Sequence, residues 1–198
     1  MAACAAMTGE REAFFQRLTI SPLTPSRFHY TSQMTTSSIR PGEIALAVDP
    51  ARSEGDARLV FIGRVRTSWT SRKDAPKNPN EARARGGTAH IELDAPFRPG
   101  LQGLEHFSHA IVLYWMHEAR RDLLVQVPRQ SGKTHGTFAL HSPVRPNPIA
   151  LSVVRLLHVD ADAGRVDIDA IDCLDGTPLL DIKPYRPGVD AMPDASTP

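Results

Sequence analysis

The sequence predicts a mainly β fold: a small single-domain barrel or sandwich of about seven short strands, outside the nucleotide-binding doubly wound class. Three observations predict it. Seven apolar or alternating runs of five to nine residues recur between Leu59 and Ile182, with turn residues between them. Seventeen prolines in 198 residues disfavour long helices. Gly86-Gly87 precedes a strand rather than a helix, so the Gly-rich strand-to-helix turn of a dinucleotide fold is missing.

Residues 1–58 read as an N-terminal extension. Glu10 to Leu18 suits a short helix capped by Thr8, with Phe14, Phe15 and Leu18 on one face. Thr19 to Pro41 is rich in Ser, Thr and Pro and is expected to be irregular. The domain is expected to span 59–186. Leu59 to Arg66 reads as its first strand, and Ala89 to Leu93 alternates as the second. His109 to Trp115 is a continuous apolar run suited to a central strand. Gly136 to Leu140, Leu151 to Val159, Arg165 to Ile171 and Pro178 to Ile182 follow. Leu101 to Phe107 has room for one helical turn. The tail, 187–198, is Pro- and Asp-rich and reads as irregular.

Hydrophobic residues make up 41%, enough for one core. The net charge of +1 excludes a uniform polycation, so any nucleic-acid binding must use local patches. Cys4 and Cys173 form no disulfide framework, and a reducing cytoplasm is the expected location. Residues 1–7 are apolar without a basic region before them, so no secretory leader is expected. No apolar run is long enough to span a bilayer. Eight histidines show no helical HxxxH or HExxH spacing and no thiol partners, so no metal site is expected.

Candidate chemistry falls in two blocks. In His141-Ser-Pro-Val-Arg-Pro-Asn-Pro-Ile149, three prolines stiffen the backbone around Arg145 and Asn147. The Arg145 fork suits a carboxylate or phosphate, or else an ion pair with an Asp downstream. Asn147 is placed either to read an adenine edge or to close the turn. In the second block, Asp172 and Asp175 flank a turn at Asp175-Gly-Thr-Pro178. Either Asp is suited to accept from ribose hydroxyls or to pair with an ammonium; Asp175 is equally a turn cap. Alternation puts Asp167 and Asp169 on one strand face and Val166, Ile168 and Ala170 on the other.

The 22 residues from Thr67 to Thr88 form a long connection. Segment 64–85 holds seven Lys and Arg against Asp74 and Glu81, a net of +5. It reads as either a solvated loop or a phosphate-contacting arm, with Trp69 able to stack on a base or to cover the barrel. Arg120, Arg121, Arg129 and Lys133 against Asp122 make a second patch of +3. His117 and His141 each follow an expected strand end.

Both blocks resemble the signature segments of the TsaA-like family. Phe61-Ile-Gly63, Gly103 to His109, Arg145-Pro-Asn-Pro-Ile149 and Asp175-Gly-Thr-Pro to Asp181-Ile-Lys-Pro-Tyr185 carry the resemblance, which covers Leu59 to Tyr185. Members are S-adenosylmethionine-dependent methyltransferases acting on threonylcarbamoyl-adenosine in the tRNA anticodon loop. The resemblance implies a non-Rossmann β-barrel and a homodimer with the cofactor near its interface. It implies cofactor contacts at Pro76, Lys77, Asn78, Met116, His117, His141, Leu151, Ile171 and Asp172, with Asp175 added from the turn. Members often have Pro-Arg-Gln where this chain has Pro76-Lys-Asn78, and Arg where His141 stands. The C-terminal domain that helps some members engage tRNA is not expected here. Arg145, Asn147 and His117 are the candidate catalytic set, with His117, His141 or an Asp as base. Two readings of other classes stand beside transfer: an S-adenosylmethionine-binding domain that senses without transferring methyl, and a hydrolase using the Asp and His set.

Overall fold

The computed structural model describes residues 39–52, 55–129 and 131–197. The helix expected over Glu10 to Leu18 lies outside them. In chain order the elements are β1 (Ile44–Ala45), β2 (Gly63–Thr67), α1 (Pro79–Ala84), β3 (Ala89–Leu93), β4 (His109–Trp115), β5 (Leu123–Gln126), β6 (His135–Gly136), β7 (Ile149–Asp160), β8 (Arg165–Ile168), β9 (Thr177–Pro184) and α2 (Pro187–Asp190). Six strands close a barrel in the order β2-β3-β8-β7-β4-β9, and β1-β5-β6 form a separate three-stranded sheet. Closure leaves no open edge in the larger sheet. The mainly β, non-Rossmann expectation is met, with a six-stranded barrel.

The strand alternation explains the core. Val65, Ile91, Val112, Tyr114, Val154, Val166, Ile168 and Leu179 point inward and are buried. Val166, Ile168 and Ala170 are buried as their alternation predicts, while Asp167 and Asp169 face outward. Gly63 starts β2 because its strand crosses very close to β3: a Cβ there would lie 2.1 Å from the Glu92 carbonyl oxygen.

Several boundaries differ from the sequence expectation. Leu59, Val60 and Phe61 are exposed and precede β2, since the ladder with β9 reaches back only to Ile62. The strand expected over Gly136 to Leu140 is a 3-10 turn at Thr137–Ala139 preceded by the short β6. Its cause is the Thr137 hydroxyl, which turns inward, donating to the Leu123 carbonyl at 2.9 Å and accepting from Gln126 Nε2 at 2.8 Å. β5 itself was not anticipated, nor was β1 within the stretch read as N-terminal extension. β8 stops at Ile168, short of Ile171. Within Leu101 to Phe107 the single helical turn is a 3-10 segment, Leu104–His106, and a longer 3-10 segment, Ala95–Leu101, ends just before it. The tail opens with α2 before becoming irregular. Among the described residues no helix is long and apolar enough to cross a membrane.

The long connection after β2 contains α1. Asn78 caps it by accepting from the Glu81 amide at 2.9 Å, Pro79 occupies the first turn, and Glu81 Oε2 accepts from the Lys77 amide at 3.0 Å. This is close to the reciprocal capping box.

Candidate functional site

Four connections meet at one end of the barrel: Thr67 to Asn78 after β2, Met116 to Glu118 after β4, Arg145 to Pro148 before β7, and Ile171 to Gly176 before β9. Hydrogen bonds stitch them together. The Trp69 indole donates to the Ile171 carbonyl at 3.2 Å, and the Thr67 hydroxyl donates to the Cys173 carbonyl at 3.1 Å. The Asp175 amide donates to Trp69 O at 2.7 Å, and the Met116 amide to Pro148 O at 2.8 Å.

Asp175 is the clamp of this end. Its carboxylate accepts from Arg66 Nε at 2.8 Å, Arg66 Nη2 at 3.2 Å and the Thr67 amide at 3.1 Å. Burial works to raise its pKa, but the guanidinium and the amide outweigh that and hold it below the usual carboxylate range. Its acceptor capacity is therefore engaged by protein. Asp172, three residues earlier, differs. One oxygen accepts from the Tyr114 hydroxyl at 3.0 Å, and Asp172 is only half-buried. The Tyr114 oxygen is also 3.0 Å from Ser152 Oγ. A phenol has one proton, so Ser152 donates to Tyr114 and Tyr114 to Asp172. Burial, then the Asp172 charge, drive the Tyr114 pKa upward, so this hydroxyl stays protonated. Burial likewise pushes the Cys173 thiol up to about 12, which keeps it inert.

His117 follows β4. Burial lowers its pKa, and the nearby Arg64 and Arg72 charges lower it further against the opposing pull of Glu118. Its imidazole is thus neutral at pH 7. Arg72 joins the long connection to this corner through the Glu118 carboxylate at 3.3 Å and its carbonyl. Pro76 is buried behind Lys77, whose side chain is exposed. Asn78 has its side-chain oxygen committed to the cap of α1.

Arg145 forms no ion pair with an Asp of the second block. Its Nη2 donates to the carbonyls of Thr137 at 3.1 Å and Leu140 at 2.9 Å, clamping the 3-10 turn. Its Nε is buried with no partner among the described residues. Asn147 is exposed, and its Oδ1 accepts from Arg121 Nη2 at 3.3 Å; Arg121 also donates to Pro146 O and lies over the Trp115 ring. His141 is exposed beyond the turn rather than at a strand end. Leu151 lies on the outward face of β7, across the barrel wall from the inward-pointing Tyr114 and Ser152.

The basic segment 64–85 is largely paired. Arg66 meets Asp175 and Glu92, Arg72 meets Glu118, Arg83 meets Asp169 at 2.7 Å, and Arg85 meets Glu81. Trp69 covers the barrel end: Gly87 packs against its ring, where a Cβ would come within 2.4 Å, and Arg85 lies over its face. Of the second patch, Arg120 is paired with Asp122 at 2.6 Å. No cluster of His, Cys, Asp and Glu able to hold a metal occurs among the described residues.

Among the described residues, two hollows on the surface bear on the site. One of about 440 Å³, lined by Ile62, Phe97, Leu101, Leu104, Phe107 and others, contains none of the candidate residues. It lies at the opposite end, by Leu93 and Pro184. The other, about 360 Å³, is formed by Phe138, Arg145, Pro146 and Asn147. The sequence reading missed Tyr114, Ser152 and Phe138. All three sit in apolar runs that read as core or strand.

Comparison with known proteins agrees with this architecture. The family model for the tRNA-methyltransferase O N-terminal domain matches residues 64–191. A protein of Rhizobium radiobacter named as a probable S-adenosyl-L-methionine-binding protein, VirR, is 42% identical over 77% of this chain and 83% of its own length. The tRNA (adenine(37)-N6)-methyltransferase of Escherichia coli K12 is 36% identical over 68% of this chain. The crystal structure of TrmO from Pseudomonas aeruginosa superposes with a TM-score of 0.57 at 36% identity, covering 72% of this chain. The chain spans only 60% of the E. coli protein and 62% of the Pseudomonas chain. On its barrel and on the match over 64–191, the chain belongs to the tRNA-methyltransferase O N-terminal domain family.

Proposed function

We propose that this chain is an S-adenosylmethionine-dependent tRNA methyltransferase acting on the exocyclic nitrogen of threonylcarbamoyl-adenosine in the anticodon loop. The observation that carries the reading is Asp172, a half-buried carboxylate anchored through one oxygen by Tyr114 at the barrel end where the connections before β7 and before β9 meet. Such a carboxylate fits a cofactor bearing ribose hydroxyls and an ammonium. The buried Nε–H of Arg145, without a partner among the described residues, fits an anionic group nearby, and the threonyl carboxylate of the acceptor supplies one. Names of relatives that bind S-adenosylmethionine or methylate tRNA adenine support the same cofactor and substrate class.

When bound, S-adenosylmethionine supplies a methyl group on a sulfonium; transfer to the acceptor nitrogen leaves S-adenosylhomocysteine and releases the nitrogen's proton. Asp172 and the backbone at Ile171 and Met116 orient the donor, and Pro76, Lys77 and His141 complete its surroundings. Neutral His117 accepts the released proton, since an unprotonated imidazole is required of a base. Arg145 and Asn147 hold the acceptor. Most of the rate then comes from alignment of donor and acceptor.

The active unit in this reading is a homodimer acting in the cytoplasm. Outward residues of β4 and β7 pair in register as Trp115 with Ile149, Leu113 with Leu151, and Ile111 with Val153. They form an apolar strip in which Leu151 is 59% exposed. A strip of this kind marks an interaction surface. A second copy on it would put Leu151 at the interface, where the resemblance implies that the cofactor lies.

Incubation with methyl-labelled S-adenosylmethionine and tRNA carrying threonylcarbamoyl-adenosine tests the proposal. Label in that nucleoside is the expected result. Cofactor binding without label in any tRNA would overturn it in favour of a sensing domain.

A further inference from the structure

The 3-10 turn at Thr137–Ala139 carries a second feature that the methyl-transfer chemistry does not use. Phe138 is 83% exposed, the most exposed of the large apolar side chains among the described residues. Its backbone is nevertheless pinned. Arg145 Nη2 ties down the carbonyls on both sides, at Thr137 and Leu140. The Thr137 hydroxyl is buried between Leu123 O and Gln126 Nε2, and Gln126 Nε2 also donates to Val144 O at 2.7 Å. A rigid scaffold holding an aromatic ring in water indicates a ring kept ready for a partner, since an aromatic side chain otherwise gains by burial.

The surroundings specify the partner. Phe138 forms one wall of the 360 Å³ hollow, and Arg145, Pro146 and Asn147 form the rest. Arg145 brings a fixed positive charge. The Asn147 oxygen faces the Arg121 guanidinium, which can only donate, so the Asn147 amide NH2 remains to donate elsewhere. An aromatic face, a guanidinium and an amide donor around one opening match the faces and edges of an unpaired nucleobase. Met116 N to Pro148 O at 2.8 Å ties the loop of this hollow to the strand end bearing His117.

We propose that Phe138 is the stacking platform for an unpaired base of the acceptor RNA, with Asn147 donating to that base's edge and Arg145 holding its anionic neighbour. This rests on the methyltransferase reading and adds a specificity-determining residue to it.

The test compares wild type, Phe138→Ala and Phe138→Trp for binding of an anticodon stem-loop RNA by fluorescence anisotropy. S-adenosylhomocysteine binding and sedimentation are measured in parallel. Phe138→Ala is expected to weaken RNA binding by about five- to 150-fold, the effect of one lost base stack. Phe138→Trp should keep the affinity, and its indole fluorescence should be quenched by RNA. S-adenosylhomocysteine affinity and sedimentation should be unchanged in both. If wild type binds the RNA and Phe138→Ala binds equally well, stacking is refuted while the methyltransferase reading stands. If Phe138→Ala converts a dimer into a monomer, the ring belongs to a subunit contact and the proposal fails. If wild type binds no RNA, both readings fall together.

Discussion

The hydroxyl of Tyr114 donates to Oδ1 of Asp172 across 3.0 Å, with Ser152 behind it donating to the tyrosine oxygen. A residue of the barrel interior thereby orients a carboxylate at the barrel mouth. Tyr114→Phe keeps the ring and its packing but removes the donor, leaving Ser152 Oγ without this acceptor. Unfolding in urea should show a loss of about 1–2 kcal/mol. Isothermal titration should show S-adenosylhomocysteine affinity falling several-fold, because Asp172 would lose its anchor. Unchanged affinity in a folded Tyr114→Phe protein would mean that Asp172 needs no anchoring for binding.

Asp172 and Asp175 should separate cleanly by mutation. Asp172→Asn should leave the melting temperature close to wild type and weaken cofactor binding by at least ten-fold, because of the two carboxylates it alters the less engaged one, which accepts from Tyr114 alone. Asp175→Ala removes the acceptor of Arg66 and of the Thr67 amide. It should cost about 1–2 kcal/mol of stability, a figure held down by the partial exposure of the pair. The folded Asp175 pKa is depressed, so its contribution is present above the unfolded value of 3.8 and is lost as pH falls through the lower folded value. The stability difference between wild type and Asp175→Ala should therefore shrink when urea unfolding is repeated below pH 4.

How much of this was legible in the chain depends on the range of the interactions. Ala89–Leu93 and His109–Trp115 stand where alternation and the apolar run put them, because burial on one strand face is a local pattern. The family, too, was readable in Arg145-Pro-Asn-Pro-Ile149 and the Asp175-Gly-Thr-Pro turn. The division of labour between Asp172 and Asp175 was not. Asp175 is engaged by Arg66, 109 positions away, and Asp172 by Tyr114, 58 positions away. Nothing near either residue distinguishes them. The 3-10 turn at Thr137 was hidden for the same reason: its cause is a hydroxyl reaching β5, a strand too short to announce itself. The partners of the arginines in segment 64–85 were out of sight for the same reason, since Glu118 and Asp169 lie far along the sequence.

The neutral state of His117 makes a pH prediction. Its folded pKa lies below 6.5, through burial and the Arg64 and Arg72 charges. As a base it works only unprotonated, so single-turnover methylation should rise with pH through a midpoint below 6.5 and be flat above pH 7. His117→Ala should be slower and should lose this limb of the profile. An unchanged profile in the variant would remove His117 from the proton path. The stability contribution runs in the same direction. The unfolded chain binds the proton more tightly, so the folded state gains as pH rises toward 6.5 and loses as pH falls through the folded value.

The apolar strip on β4 and β7 yields the last prediction. Leu151 faces outward between Val153 and Ile149 on its own strand and stands opposite Leu113. Leu151→Arg places a charge in the middle of that strip without touching the core, because the inward neighbours Ser152 and Val154 are unaffected. If a second copy covers the strip, sedimentation should show a dimer for wild type and a monomer for Leu151→Arg, as burying an unpaired charge at an interface is strongly unfavourable. Cofactor affinity should fall with dissociation, because Leu151 would stand beside the partner's cofactor as well as at the contact. The control is the melting temperature of the dissociated variant, which should stay near wild type if the barrel folds independently of its partner. A Leu151→Arg protein that remains dimeric would move the subunit contact to another face, and a wild type that is monomeric at micromolar concentration would leave the strip to a different partner.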